Sequence, residues 1–130
     1  MNVGRILSES GYDSEELRAA LHPVDFNRVR VVPASRLVRS LWSDGITAMT
    51  VMRWVLVDPA VINGDRDRLG RLLVHELVHV RQWSDYGFFG FLRRYLGDYL
   101  RRRLGGAGHR MAYWSNRLEV EARTVASRFI

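Results

Sequence analysis

Residues 75–79, His-Glu-Leu-Val-His, place two histidines four positions apart, with a glutamate directly after the first. On an α-helix, residues i and i+4 lie one above the other on the same face, so both imidazoles point toward one place in space. Two histidines and a glutamate on an otherwise apolar helix are costly to bury without a partner. The pattern therefore predicts a helix through this segment whose histidines share a metal ion.

Length and composition indicate one ordinary globular domain over residues 1–130. Hydrophobic residues make up 47% of the chain and charged residues 26%, as in typical soluble proteins. The absence of cysteine excludes disulfides, thiolate metal sites and cysteine nucleophiles. Residues 1–5 lack the apolar segment of a signal peptide, and no apolar run reaches the ~20 residues that span a bilayer. A cytoplasmic location is the resulting expectation.

The chain carries a net charge of +6, and all 20 basic residues are arginine. Such a balance is compatible with binding to nucleic acid or an anionic membrane. The arginines are scattered along the chain, which favours a solvated surface and makes no strong case for nucleic acid. Two clusters lie on one predicted amphipathic helix, where a weak contact with an anionic surface remains the alternative: Arg93, Arg94, Arg101, Arg102 and Arg103.

Helical and strand patterns alternate before the histidine motif. In chain order they predict a helix over residues 13–21, a strand over 28–33, a short helix over 34–43 and a strand signal over 46–57. The last segment is rich in Thr, Val, Met and Trp, between Asp44-Gly45 and Asp58-Pro59. We expect either one long strand or a hairpin bent near residues 50–53.

The motif helix is predicted to begin after the turn at residues 63–65 and to end near Asp85. Gly87 interrupts the pattern, and a strongly amphipathic helix follows from Phe88 to Leu104. A glycine-rich loop over 105–108 precedes a last helix over 115–129. The fold class predicted is α+β, with a small sheet or hairpin packed on the motif helix and two further helices.

A catalytic zinc normally has three protein ligands, so the motif needs a third. Asp85 is turned away if the helix continues through Gln82, and no spacing rule supports His109. Glu119 and Glu121 lie on the last helix at about 100° and 300° on the helical wheel, on either side of its apolar face. The periodicity alone leaves both open.

Residues 72–82, Leu-Leu-Val-His-Glu-Leu-Val-His-Val-Arg-Gln, follow the strand pattern at 53–57. This combination resembles the central helix of small bacterial zincin-like metallopeptidase domains of the gluzincin type. Among them are domains associated with extracellular contractile injection systems, in which HELxHVxQ follows a strand. The resemblance covers about residues 46–126.

The resemblance implies a third ligand within an E-x-x-A segment on a later helix. Residues 119–122 match it, with Glu119 as ligand. Many gluzincins carry an acid or amide four residues after the ligand, but Arg123 stands there. The partner that orients the metal ligands must then be Glu121, Asp58 or a backbone carbonyl.

The implied function is zinc-dependent hydrolysis of peptide bonds, since HExxH is the zinc metalloprotease signature. Zinc would be held by His75, His79 and Glu119, and Glu76 would act as general base. Tyr113 is a candidate donor to the oxyanion, although packing beside Trp114 is the favoured reading of this side chain; His109 is an equally weak candidate.

Two further expectations concern the surroundings of the site. Gln82 faces the same side of the helix as His79 and is expected to hydrogen-bond near the metal. By analogy with zincin sheets, the strand at 46–57 would lie along the cleft and pair with an extended peptide. The alternative function is a catalytically inactive zincin-like binding or assembly module.

Overall fold

The computed structural model describes residues 1–42 and 45–130. This described part has an α+β architecture, as predicted, with more helices than the sequence indicated. In chain order the elements are α1 (Val3–Ser10), α2 (Glu15–Ala20), β1 (Arg30–Pro33), α3 (Arg36–Ser40), β2 (Ala48–Val51), β3 (Trp54–Val57), α4 (Pro59–Ile62), α5 (Arg66–Leu104), α6 (His109–Trp114) and α7 (Arg117–Ala126).

The three strands form one mixed sheet in the order β1-β3-β2. Central β3 pairs parallel with β1 and antiparallel with β2, with Thr50 opposite Val55. The hairpin expectation is therefore confirmed, and Met52, in its two-residue turn, has a φ of 57°. The helix predicted over residues 34–43 was expected to end at Ser43, and Asp44 was expected to bound the next strand. Both residues lie outside the described part of the chain.

Helix α5 holds the histidine motif. Its N-cap is Asp65, whose side chain accepts a hydrogen bond from the Asp67 amide. Gly87 interrupts the helix with φ 70° and ψ 172°, a conformation that essentially only glycine adopts. The predicted break at this residue is confirmed, and it divides α5 into a proximal segment, residues 66–86, and a distal segment, residues 88–104.

The main core forms between the proximal segment of α5, the sheet and α1. Leu69, Leu73 and Leu77 of α5 are fully buried in it. Helix α1 lies close to α5 at Gly70, where an added Cβ would lie 2.5 Å from Ser10 Oγ. A residue without a side chain is thus required there, and the contact holds α1 against the motif helix.

Helices α1, α4 and α6 were absent from the prediction. For α1 the signals were present, since Asn2 caps its start and Gly11, with φ 84°, ends it. Helix α3 was predicted, but its apolar residues Leu37 and Leu41 are exposed and do not join the core. Among the described residues, none of the helices combines the length and apolar character needed to cross a bilayer.

Candidate metal centre

The side chains of His75, His79 and Glu119 converge, with one potential ligand atom from each lying within 4.8 Å of the others. The two histidines are one helical turn apart on α5, and Glu119 comes from α7. Glu119 Oε1 lies 3.0 Å from His79 Nε2, and Oε2 lies 3.6 Å from His75 Nε2. The carboxylate therefore faces both imidazoles.

Gln82 fixes the orientation of His79. Its amide oxygen lies 2.8 Å from His79 Nδ1, so a proton on Nδ1 is donated to Gln82 and Nε2 is left facing Glu119. Burial by itself lowers the pKa of His79, but the Glu119 hydrogen bond and the charges of Glu76 and Glu119 outweigh it and raise the pKa to about 9. His79 is therefore a buried imidazole that holds its proton more tightly than a free histidine does.

Glu119 is held in its charged form. Burial acts to raise its pKa, yet the hydrogen bonds and charges of His75 and His79 bring that pKa well below its usual range. The hydroxyl of Tyr95 donates to Glu119 Oε1 at 3.4 Å. The pKa of both Tyr95 and Tyr113 is raised, mainly by burial and secondly by the charge of Glu119. Each phenol therefore stays protonated.

Glu76 lies beside this cluster but outside it. Thr50, on β2, donates from Oγ1 to Glu76 Oε2 at 2.7 Å. The carbonyl oxygen of Thr50 accepts a 3.1 Å hydrogen bond from Trp83 Nε1. The hairpin is thus tied to α5 at Glu76 and at Trp83, and the buried carboxylate keeps a fixed position.

The distal segment of α5 positions the start of α7, and through it Glu119. Asn116, the N-cap of α7, is fully buried and donates to the carbonyl oxygen of Tyr95 at 3.0 Å. The amide of Arg117 donates to Asp98 Oδ2 at 3.1 Å. Glu119 follows in the first turn of α7, so these two bonds set where its carboxylate lies.

Glu121 and Arg123 lie apart from the ligand group. The Gln82 side-chain nitrogen donates to Leu118 O at 2.9 Å and to Glu121 Oε1 at 3.1 Å. Glu121 therefore supports Gln82, which itself contacts His79. Arg123 stacks its guanidinium 3.7 Å from the Trp114 ring centroid.

The remaining candidates lie elsewhere. Asp85 pairs with Arg81 at 3.4 Å, as expected for a helix that continues past Gln82. His109 is outside the ligand group, and its Nδ1 lies 2.6 Å from the Tyr99 hydroxyl. Asp58 caps the start of α4, so it does not orient the histidines.

A pocket of about 330 Å³ opens beside the cluster. Its polar end holds Glu76, His79 and Glu119. Its wall is apolar and includes Trp83, whose ring stacks on Phe91 at a centroid distance of 3.9 Å. A ligand bound there would have one end against the titratable groups and the other in an aromatic environment.

The donor set suits a zinc ion. Two imidazole nitrogens and one carboxylate are a ligand set of catalytic zinc sites, which leave the fourth position for water. The hydrogen bond from Gln82 supplies the support that metal-binding histidines usually have. Bound metal would take the place of the proton that His79 shares with Glu119.

A family model described as the eCIS core domain matches residues 13–87, more than half of the chain. The chain belongs to the eCIS core domain family. The domain is that of extracellular contractile injection systems, which associates the chain with other injection-system proteins. No curated protein and no solved structure matches the chain.

The part matched to the eCIS core domain contains the sheet and both motif histidines, and it ends at Gly87, where α5 is interrupted. The match starts at residue 13, whereas the resemblance noted in the sequence starts at about residue 46, and the match stops before Glu119. The third member of the cluster is therefore contributed by chain beyond the matched residues.

Two residues of the site were not singled out by the sequence. The sequence places Thr50 only in a strand and Tyr95 only on the apolar face of a helix, and it gives neither residue a role in the site. The available signal for Tyr95 was its position four residues after Phe91, on the side of the helix that faces the core. For Thr50 the signal was weaker, since only the register of the hairpin turns it toward Glu76.

Proposed function

We propose that this eCIS core domain is a zinc-dependent peptidase. The observation that carries the proposal is the meeting of His75, His79 and Glu119 beside the buried carboxylate of Glu76, at the polar end of an apolar pocket. A structural role for these groups would not need a fourth ionisable side chain held separately from the other three.

The zinc ligands would be His75 Nε2, His79 Nε2 and the Glu119 carboxylate. Zinc bound there supplies Lewis acidity, which lets a water ionise near neutral pH and polarises the substrate carbonyl. Gln82 keeps the His79 ring in its orientation. Helix α7 carries Glu119 into place through the bonds at Asn116 and Asp98.

Glu76 is the proposed general base. Thr50 occupies its Oε2, which leaves Oε1 to accept a proton from water and return it to the leaving amine. Trp83 and Phe91 form the apolar wall of the pocket beside this carboxylate. The position of Glu76 is therefore suited to proton transfer, while the other three groups are suited to holding a cation.

Tyr95 and Tyr113 are the proposed oxyanion donors. Both line the pocket, and the raised pKa of each keeps its hydroxyl proton available. Tyr95 has the hydroxyl that donates to Glu119 Oε1. A phenol so close to the cluster can turn to a developing negative charge on the substrate.

The outer edge of β2 is the proposed binding place of the substrate backbone. Asp58 N donates to Thr47 O, so paired and outward-facing backbone groups alternate along the hairpin. By this alternation the backbone groups of Ala48 and the Thr50 amide face away from β3, whereas the Thr50 carbonyl already accepts from Trp83 Nε1. Both residues line the pocket. An extended peptide can add to that edge as a further strand.

The test combines metal content with hydrolysis of an unfolded protein substrate by the zinc-loaded full chain. His75→Ala should lose bound zinc, whereas Glu76→Gln should keep one zinc per chain and lose hydrolysis by at least about a hundredfold. Asp85→Asn, an exposed acid on the same helix, is the matched control. Hydrolysis that persists in Glu76→Gln would contradict the proposed base.

A second candidate is a catalytically inactive zincin-like assembly module. Family membership favours it, because the eCIS core domain associates the chain with other injection-system proteins. This candidate predicts that zinc-loaded protein leaves a broad peptide library uncut. It also predicts that Glu76→Gln retains assembly with the injection system. His75→Ala, by contrast, should weaken assembly because it disturbs the folded structure.

A further inference from the structure

Large apolar side chains project from the outer side of the distal segment of α5. At about 100° per residue they fall within about 80° of arc, along about 22 Å of helix. The buried residues Phe91 and Asp98 lie on the opposite side. The exposed fractions of these side chains are 81% for Phe89, 52% for Leu96, 56% for Leu100 and 89% for Leu104.

The positive charge of the chain is concentrated in the same region. Residues 1–87 contain 11 arginines and 11 acidic residues, whereas residues 88–130 contain 9 arginines and 3 acidic residues, a balance of +6. The whole net charge of the protein therefore lies after Gly87. It begins where the match to the eCIS core domain ends.

The arginines of the distal segment surround the apolar side chains. On the helical wheel Arg93 lies among them, Arg103 lies just outside one edge of the arc, and Arg94 and Arg101 lie along the opposite flank. Of the three acidic residues after Gly87, Asp98 offsets the charge of Arg101 on the flank, because the two side chains form an ion pair. Asp98 is buried between Arg101 and Arg102, and the other two are the site residues Glu119 and Glu121.

We propose that this surface binds the headgroup region of an anionic lipid bilayer. We call it the basic apolar face, defined by Phe89, Arg93, Leu96, Leu100, Arg103 and Leu104. Helices that lie in a membrane interface combine an apolar stripe with flanking basic residues. The guanidinium groups pair with lipid phosphates, and the Leu and Phe side chains enter the acyl boundary.

The shape of the face favours a bilayer over other anionic partners. Phe89 and Leu104 are almost fully exposed, so they protrude rather than line a groove into which a partner helix would fit. A nucleic acid would use the arginines but would gain little from an apolar stripe. A fluid interface accommodates both the charges and the protruding side chains.

The basic apolar face adjoins the mouth of the pocket. Phe88 lines the pocket and lies edge-on to Phe89, with ring centroids 5.2 Å apart. Binding to a bilayer would therefore bring the pocket close to the lipid surface. The proposal itself requires neither zinc nor hydrolysis, and its test uses only binding.

The experiment is co-sedimentation of the full chain with vesicles. One set contains phosphatidylcholine alone, and the other contains phosphatidylcholine and phosphatidylglycerol in equal amounts. Binding to the anionic set only, weakening as salt is added, is the expected result. No binding to the anionic set would overturn the proposal, and this arm depends on no variant.

Variants then locate the contact. Leu96→Gln and Leu100→Gln should each lower partitioning about tenfold, and Arg93→Gln and Arg103→Gln about fivefold each. The matched controls are Leu37→Gln on α3 and Leu41→Gln directly after it, which are more exposed than Leu96 and Leu100, and exposed Arg36→Gln. Controls that lose binding as much as the face variants would overturn the proposal.

Two competition results separate the partners. Duplex DNA or polyglutamate that binds the chain as tightly as anionic vesicles, with no effect of Leu96→Gln or Leu100→Gln, would indicate a purely electrostatic contact and overturn the proposal. Vesicle binding that survives excess polyglutamate and is lost in the leucine variants would support it. Circular dichroism of each variant confirms that the helix content is unchanged.

Discussion

Thr50 Oγ1 donates a 2.7 Å hydrogen bond to Oε2 of Glu76, across 26 residues of chain. Both side chains are buried, so this bond is the means by which the hairpin holds the carboxylate on the motif helix. The proposed base therefore has its position set by a strand rather than by its own helix.

Replacement of Thr50 by valine keeps the shape of the side chain and removes the donor. Because a buried carboxylate then loses a hydrogen bond, we expect the free energy of unfolding to fall by about 1–3 kcal/mol. Hydrolysis by the zinc-loaded protein should fall about tenfold or more through kcat, since the base is no longer fixed. Thr50→Ser, which retains the hydroxyl, should stay near the wild type in urea denaturation and in kinetics.

Gln82 joins the motif helix to α7 through His79, Leu118 and Glu121. Gln82→Met fills a similar volume without the amide, and it should lower the free energy of unfolding by about 1–3 kcal/mol. Zinc affinity, measured by chelator competition, should fall about 10- to 100-fold. Glu121→Gln keeps an acceptor for the amide and should change zinc affinity little; an equal loss in that variant would argue against a positioning role for Gln82.

Asp98 should make stability depend on pH under acid conditions. Burial acts to raise its pKa, but hydrogen bonds from Arg102, the Arg117 amide and Arg101 outweigh burial and lower the pKa. A carboxyl whose pKa is lower when folded stabilises the protein above its unfolded pKa of about 3.9. That stabilisation is lost as the pH falls through the folded pKa.

The measurement is urea denaturation of Asp98→Asn and wild type over a pH series. At neutral pH the variant should be less stable by about 1–3 kcal/mol, and the difference should shrink below about pH 4. Asp85→Asn, at an exposed ion pair, should cost no more than about 1 kcal/mol. A difference between Asp98→Asn and wild type that does not change with pH would show that the Asp98 charge is not responsible.

Replacement by alanine should change the free energy of unfolding in opposite directions at Gly87 and at Gly97. An added Cβ meets nothing within 4 Å at either residue, so only the backbone decides. Gly87→Ala forces a side chain into a conformation that only glycine tolerates and should cost about 1–3 kcal/mol. Gly97→Ala, within a regular helix, should stabilise by about 0.5–1 kcal/mol. Thermal denaturation of the two variants tests this, and a stabilising Gly87→Ala would contradict the interrupted helix.

The sequence was sufficient to predict elements whose signals are local. The spacing of His75 and His79 required a helix, Asp65 marked its start and Gly87 marked its interruption. The approach of Glu119 was anticipated mainly through the resemblance, because the helical wheel placed Glu119 only slightly nearer the apolar face than Glu121. The structure brings Glu119 to the histidines through contacts at Asn116 and Asp98, which no local pattern encodes.

Contacts that depend on tertiary placement were missed. Tyr95 reads as one apolar position among many, and only the change of direction at Gly87 brings it beside α7. Helix α6 is short and has no capping side chain, so the sequence carries few of the signals that predict a helix there. Leu37 and Leu41 have helical spacing, but none of the described elements covers them, which periodicity alone cannot reveal.

The two-residue turn at Met52 and Arg53 has a consequence for the site. Side chains alternate between the faces of a strand, so adding or removing one residue in this turn would slide β2 along β3 by one position. Met49 or Val51 would then meet Glu76 in place of Thr50, and an apolar side chain would replace the hydroxyl. The length of this surface turn therefore decides the chemical environment of a carboxylate buried in the interior.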